Sequence, residues 1–306
     1  MKRALVVAFC ILASRPALAQ VSVQVVDYPV RVLSYSPVFI TGAIENHGAE
    51  AVLLPVARFH ENGYTIETGP TRENLKEVKP FRFDGGGTPL IWLKPGESRL
   101  FQMEIGQFLP VSGSIVIRVG LRSTGRCYYF PKGDEAFPLK LLNGSGDRGD
   151  PAYECWAGNA MSDPVTIDFI EPDSAVDREA MDYLRSSESG VAPLLNSNWD
   201  VPLQKAASEL WDRFTTSHYT YAGMFRSCLN SAECLQKLLD IQPSHPLTPY
   251  TLFQKALTSI NSGHGAEVSV QGLEIPSALK DFLAQERASY EKRQKRTPPA
   301  RSTGSN

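Results

Sequence analysis

At 306 residues, with 42% hydrophobic and 21% charged residues, the chain is long enough for two domains and too apolar to stay unfolded. Its formal net charge of −2 is unevenly spread, because Arg287, Lys292, Arg293, Lys295, Arg296 and Arg301 crowd the C-terminal end and leave an acidic body. That body offers no basic run of the kind that reads nucleic acid, which excludes this class of partner.

The first residues, "MKRALVVAFCILASRPALAQ", place Lys2 and Arg3 ahead of an apolar run from Ala4 to Ala13, then Ala17-Leu18-Ala19 before Gln20. This is the pattern of a secretory signal peptide over residues 1–19. The run falls well short of the ~20 apolar residues that cross a bilayer. Cys10 follows bulky Phe9, where a lipidation signal needs a small residue. The expectation is an exported protein, periplasmic or extracellular, with no transmembrane anchor after cleavage.

From Val21 onward, short runs of β-branched and aromatic residues are broken by Gly, Pro, Asn and Asp about every ten residues, which predicts an antiparallel sandwich. In "VFITGAIENHGAEAVLL", Phe39, Thr41 and Ala43 alternate with Ile40 and Ile44, and Ala51 to Leu54 follow the Asn46-His47-Gly48 turn. That reads as a hairpin. Further on, "LIWLKPGESRLFQMEI" carries a Pro95-Gly96 turn, and "GSIVIRVGLRS" sets Ile115, Ile117, Val119 and Leu121 on one face with Val116 and Arg118 on the other. The last strand is "PVTIDFIEP", ended by Pro172.

The segments "TGAIENHGAEAVLL", "LKPGES" followed by "GSIVIRV", and "MSDPVTIDFIEP" together resemble bacterial exported immunoglobulin-like or fibronectin-like β-sandwich domains, including the sandwich of some proteinase inhibitors. The resemblance covers roughly residues 21–172, and the immunoglobulin-like sandwich is expected over residues 20–172. It implies a shape and transfers no catalytic residue.

Between these strands, "NGSGDRGDP" from Asn143 to Pro151 satisfies several short motifs at once. Gly144, Gly146 and Gly149 spell a dinucleotide fingerprint, Arg148 to Asp150 an Arg-Gly-Asp triplet, and Asn143 with Ser145 a glycosylation sequon. A dinucleotide loop must enter a helix, whereas Pro151 leads into strand-like "AYECW". Asp134, Asp147 and Asp150 are carboxylates of the kind calcium takes, but at no spacing of a calcium loop. A solvated connector accounts for the stretch.

Cys10 leaves with the signal, and Cys127, Cys155, Cys228 and Cys234 remain. An even number in an exported chain favours disulfides, and the spacing favours Cys127 with Cys155 and Cys228 with Cys234. A four-thiolate zinc site lacks any C-x-x-C knuckle. Trp156, beside Cys155, is expected to pack on the bridge or the sandwich core.

After Pro172 the period becomes helical. "DSAVDREAMDYLRSS" opens with a Ser174-x-x-Asp177 cap and sets Val176, Ala180, Met181 and Leu184 on one face. "VPLQKAASELWDRFTTSHYTYAGMF" reads as a second helix with Leu203, Ala206, Ala207, Leu210, Trp211 and Phe214 aligned. "NSAECLQKLLDI" has Asn230 as cap with Glu233 three later, "TPYTLFQKALTSI" has Thr248 as cap and Pro249 first in the helix, and "PSALKDFLAQERASYEKRQ" closes the fold. "IQPSHPLTPYTLFQKAL" is similar to the linkers of tetratricopeptide-like exported proteins, which implies a helical interaction surface. A small helical domain is expected over residues 173–294, and residues 295–306 form a basic tail without apolar residues, expected to be disordered.

Catalytic motifs fail one by one. "HENGY" from His60 has Tyr64 where a zinc protease needs its second histidine, and neither a G-x-S-x-G elbow nor a phosphate loop occurs. His264 in "SGHGAE" has no identifiable partner, and Glu67 and Asp84 are unremarkable carboxylates. No catalytic, cofactor or metal residue is assigned. The fold class expected is β then α, and the function a non-enzymatic binding protein for a protein or cell-envelope component; the alternative is an envelope enzyme or inhibitor-like module.

Overall fold

The computed structural model describes residues 20–55, 63–78, 90–104, 112–128, 141–145, 151–186, 208–264 and 268–296. Strands fill the first part of the chain and helices the second, the order read from the sequence. The signal-like residues 1–19, His60, Asp84, Asp134 and the Gly146 to Asp150 stretch lie outside the described residues.

Three sheets form. Strands β1 (Val21–Asp27), β3 (Phe39–Asn46) and β8 (Ser98–Glu104) make one, and β4 (Val52–Pro55) pairs with β7 (Leu90–Leu93) in another. The third centres on the long β9 (Gly113–Tyr128), flanked by β5 (Gly63–Gly69), β11 (Pro151–Met161) and β12 (Val165–Ile170). It is completed by β6 (Lys76–Val78) on β5, β10 (Leu141–Ser145) on β11, and β2 (Arg31–Leu33) on β12. One apolar cluster draws on all three sheets, including Val23, Ile40, Leu54, Ile66, Leu93, Phe101 and Ile167. Ile115, Ile117, Val119 and Leu121 belong to it as the alternation in β9 predicts.

Among the strands, three expectations change. The Asn46 turn is no hairpin, because β3 pairs with β1 and β8 while β4 pairs with β7. Asn46 is fully buried and turns the chain from one sheet to the other: its Nδ2 donates to the carbonyls of Glu50 at 2.8 Å and Leu93 at 3.0 Å, and its Oδ1 accepts from Gly48 N at 2.9 Å. The strand pairing is also not wholly antiparallel, since β12 runs parallel to β2, with Asp168, Phe169 and Ile170 opposite Arg31, Val32 and Leu33. Asn143 to Ser145, read as connector, close β10 against the start of β11. Since Pro151 begins a strand, no helix follows those glycines to hold a dinucleotide.

Both expected disulfides are present. Cys127 and Cys155 join β9 to β11 with Cα atoms 6.1 Å apart, and Cys228 joins Cys234 across a helix break at 5.2 Å. Trp92 packs on the first bridge, whereas Trp156 packs on the main core.

Helix α1 (Ala175–Ser186) carries the predicted cap, with Asp177 N donating to Ser174 Oγ at 3.0 Å. The expected long second helix is broken. Residues 208–213 are helical, and α2 (His218–Cys228) starts afresh, because Ser217 Oγ and His218 N both turn to Asp177 Oδ1 at 2.8 and 2.7 Å. Residues 201–207 lie outside the described residues. For α3 (Ala232–Ile241) the cap is Ser231, which accepts from Cys234 N at 3.2 Å, and not Asn230. In α4 (Thr248–Ser259), Thr248 is already helical and Leu247 stands at the cap. Helix α5 (Ser277–Arg296) runs through Lys295 and Arg296, so the basic stretch is helical further than its composition suggests; residues 297–306 lie outside the described residues. No described helix is long and apolar enough to cross a membrane.

Strands and helices meet on one face. Phe39 of β3 packs with Tyr221, Phe225 and Leu247, its ring 5.7 Å from Phe225 and 5.0 Å from Tyr250. Tyr219 Oη donates to the Ser34 carbonyl at 2.7 Å, and at the far end of β8 Arg99 pairs with Glu286 of α5. The Tyr219 bond is buried, and losing either partner would leave a buried polar group unsatisfied.

Candidate functional site

The junction holds an apolar cavity of about 260 Å³. On the strand side it is lined by Pro29, Arg31, Val32, Leu33 and Phe39, and on the helix side by His218, Leu247 and Tyr250. Its position follows from the chain path. Tyr35, at φ 66, turns the chain between β2 and β3 in the left-handed region that a bulky residue rarely adopts. That turn brings Ser36 under the start of α2 and Phe39 under α4.

Around the cavity the polar groups are tied to one another. His218 Nε2 lies 2.5 Å from Ser36 Oγ, and both residues are buried. The His218 ring stacks on His245 at 4.5 Å, and His245 stacks on Tyr221 at 3.8 Å with the planes 12° apart. His245 Nδ1 accepts from Leu247 N at 3.0 Å, which puts the proton on Nε2, an atom that is buried without a hydrogen-bond partner. Burial pushes His218 down to about 4 against the opposing pull of Asp177, and pushes His245 down to about 3, helped by its neighbour His218. Both rings are therefore neutral at physiological pH. The Tyr250 hydroxyl is raised by burial and by Asp27, itself raised by burial.

This arrangement is a poor reaction centre. Ser36 and His218 have the composition of a nucleophile and base, but Asp177 bonds the backbone N of His218 and so fixes the helix start. Ser36 is only 1% exposed, leaving no room for an acyl group at its Oγ. It is a latch between the strand and helix halves.

Of the residues weighed in the sequence, the four cysteines are consumed in disulfides, so their thiols are not available as metal ligands. His264 is exposed at the end of a π-turn over Ile260–His264, Glu67 pairs with Arg118 Nη2 at 2.6 Å, and Tyr64 is buried in β5, a strand where a zinc-protease motif needs a helix. Ser36, His218 and His245 escaped sequence reasoning. The one local signal was the repeated Ser-His pair, Ser217-His218 and Ser244-His245, each at the approach to a helix.

No protein-family model matches the chain, and no curated protein matches it. Among solved structures, the chain is similar to a β-glucosidase from Listeria innocua in complex with glucose, at 12% identity and TM-score 0.22 over 33% of this chain and 14% of that one. It is also similar to a β-glucosidase from Kluyveromyces marxianus, at 12% identity and TM-score 0.20 over 33% and 12% of the two chains. The matched part thus spans about a seventh or less of either enzyme. Likeness at this level carries no argument about fold or activity.

Proposed function

We propose that the chain is an exported, non-enzymatic binding protein whose junction cavity receives an apolar group of a protein or cell-envelope component. In this reading residues 1–19 are a signal peptide, residues 20–172 an immunoglobulin-like sandwich, and the chain from 173 through α5 a helical domain. Strand order supports the sandwich. β1, β3 and β8 share one sheet and β5, β9 and β12 another, as the first, second and fifth strands of an immunoglobulin domain separate from the third, sixth and seventh. Two disulfides support export.

The observation that carries the reading is the cavity itself: concave, mostly apolar, between two structural units, with its nearby polar groups spent on holding those units together. Filling it should abolish binding without unfolding the protein. Leu33 lines the cavity but lies outside the core clusters, so Leu33→Trp is the suitable variant. In-cell crosslinking with mass spectrometry on both forms should recover a partner that disappears with Leu33→Trp. A partner retained in full places binding elsewhere. Turnover of a substrate that vanishes with Ser36→Ala establishes the enzyme alternative instead.

A further inference from the structure

Strand β2 ends the order β10-β11-β9-β12-β2, and β12 is its only strand neighbour among the described residues. Hydrogen bonds settle which groups face that neighbour. Asp168 N donates to the Val30 carbonyl at 2.9 Å and Ser34 N donates to the Ile170 carbonyl at 2.8 Å, so alternate residues Val30, Val32 and Ser34 address β12. Arg31 N–H, Arg31 C=O and Leu33 N–H therefore point the other way; the Leu33 carbonyl is taken by Ser36 N at 3.1 Å. An edge of this kind is a template for one more strand.

The side chains at the edge specify what that strand carries. Arg31 is exposed at the cavity lip, and among the described residues no ion pair engages it, whereas Arg99, Arg118, Arg122 and Arg287 each hold a glutamate. Val30, just before β2, is 63% exposed, and Val26 is 42% exposed at the end of β1. Isolated apolar residues on a surface are ordinary, but Val30 directly precedes the open edge, and its neighbours Pro29 and Arg31 line the apolar cavity. Among the described residues, Arg31 thus offers an unpaired guanidinium at the cavity.

We infer that β2 takes up an extended segment of a partner protein by strand addition, with one apolar side chain of that segment in the cavity and a nearby carboxylate on Arg31. The inference rests on the binding reading above and names its ligand. Main-chain bonds supply the alignment, while the cavity and Arg31 supply the selection. With only three residues in β2, the edge alone is too short to hold a strand tightly, so cavity and charge are needed together.

The test is selection of a random seven-residue peptide library displayed on phage against the full mature chain. Enriched peptides should alternate apolar residues and include Asp or Glu. Arg31→Glu should weaken the best peptide at least tenfold, and methylating its backbone nitrogens at alternate residues should do the same, since a methylated amide donates nothing to the edge. Exchange of the Arg31 and Leu33 amides should slow when it binds. Proline-rich winners, winners insensitive to Arg31→Glu or to N-methylation, or no enrichment at all overturn strand addition. Leu33→Trp separates the two readings. Peptides lost on Leu33→Trp but indifferent to N-methylation leave the cavity reading standing and sink this one, whereas peptides that bind Leu33→Trp unchanged sink both.

Discussion

His245 shows how a single side chain couples burial to pH. Its ring and that of His218 stack at 4.5 Å with values near 3 and 4, well below the ~6.5 of an exposed histidine. The unfolded chain therefore takes up protons below about pH 6.5 that the folded chain refuses. Stability is full above that point and falls as pH drops toward 4, by up to roughly 1.4 kcal/mol per pH unit for each histidine. Asp177 facing His218 limits the loss, and Asp27, raised by burial, works in the opposite direction in the carboxylate range. Urea denaturation at pH 7 and pH 5 should show a lower midpoint at pH 5, and an unchanged midpoint refutes the assignment. His245→Phe should cost about 1 kcal/mol at pH 7, because Leu247 N loses its acceptor, yet flatten the pH dependence. At Gly42 the constraint is steric: a Cβ would meet the Phe101 ring at 2.2 Å. Gly42→Ala should destabilise by about 1–3 kcal/mol, measurable as a lower melting temperature. Legibility at this scale follows sequence distance. The Ser174–Asp177 cap spans three residues and was readable; the Ser36–His218 contact spans 182 and no local rule reaches it.

Among the elements, period and punctuation were the reliable signals. Alternation located β9 and its buried face, and helical spacing located α1, α3 and α4. What failed was partner choice. Asn-His-Gly between two apolar runs fits a hairpin turn equally well as a sheet-crossing corner, and the Glu50 and Leu93 carbonyls that accept from Asn46 Nδ2 distinguish them only in the fold. The break before α2 was hidden for the same reason: Asp177, which claims His218 N, lies in another helix. The Cys127–Cys155 bridge was legible because the even cysteine count and the spacing favoured it. It closes a long loop across two paired strands, so replacing both cysteines with alanine should cost about 3–4 kcal/mol by chain entropy, read as a shift in the denaturation midpoint. A shift near zero would contradict a structural role for the bridge.

For the molecule as a whole, the order of strands then helices was readable, but the way the halves lock was not. Ser34, Phe39, Arg99 and Leu100 spend their contacts on the helices, with Ser34 C=O accepting from Tyr219 Oη and Leu100 N donating to Gln285 Oε1 at 3.0 Å. A chain ended after Pro172 should therefore expose Phe39 and the floor of the cavity, melt at lower temperature and self-associate in gel filtration. Equal stability of the truncated and full chains would mean that the junction is incidental. In the proposed function this junction is where a partner sits. The measurement that addresses it is in-cell photo-crosslinking with a benzophenone amino acid placed at Leu33 in the cavity and, separately, at exposed Lys237 on α3. A partner seated at the junction gives a discrete covalent adduct from position 33 and none of the same mass from position 237. Adducts of equal yield from both positions, or from 237 alone, would contradict it.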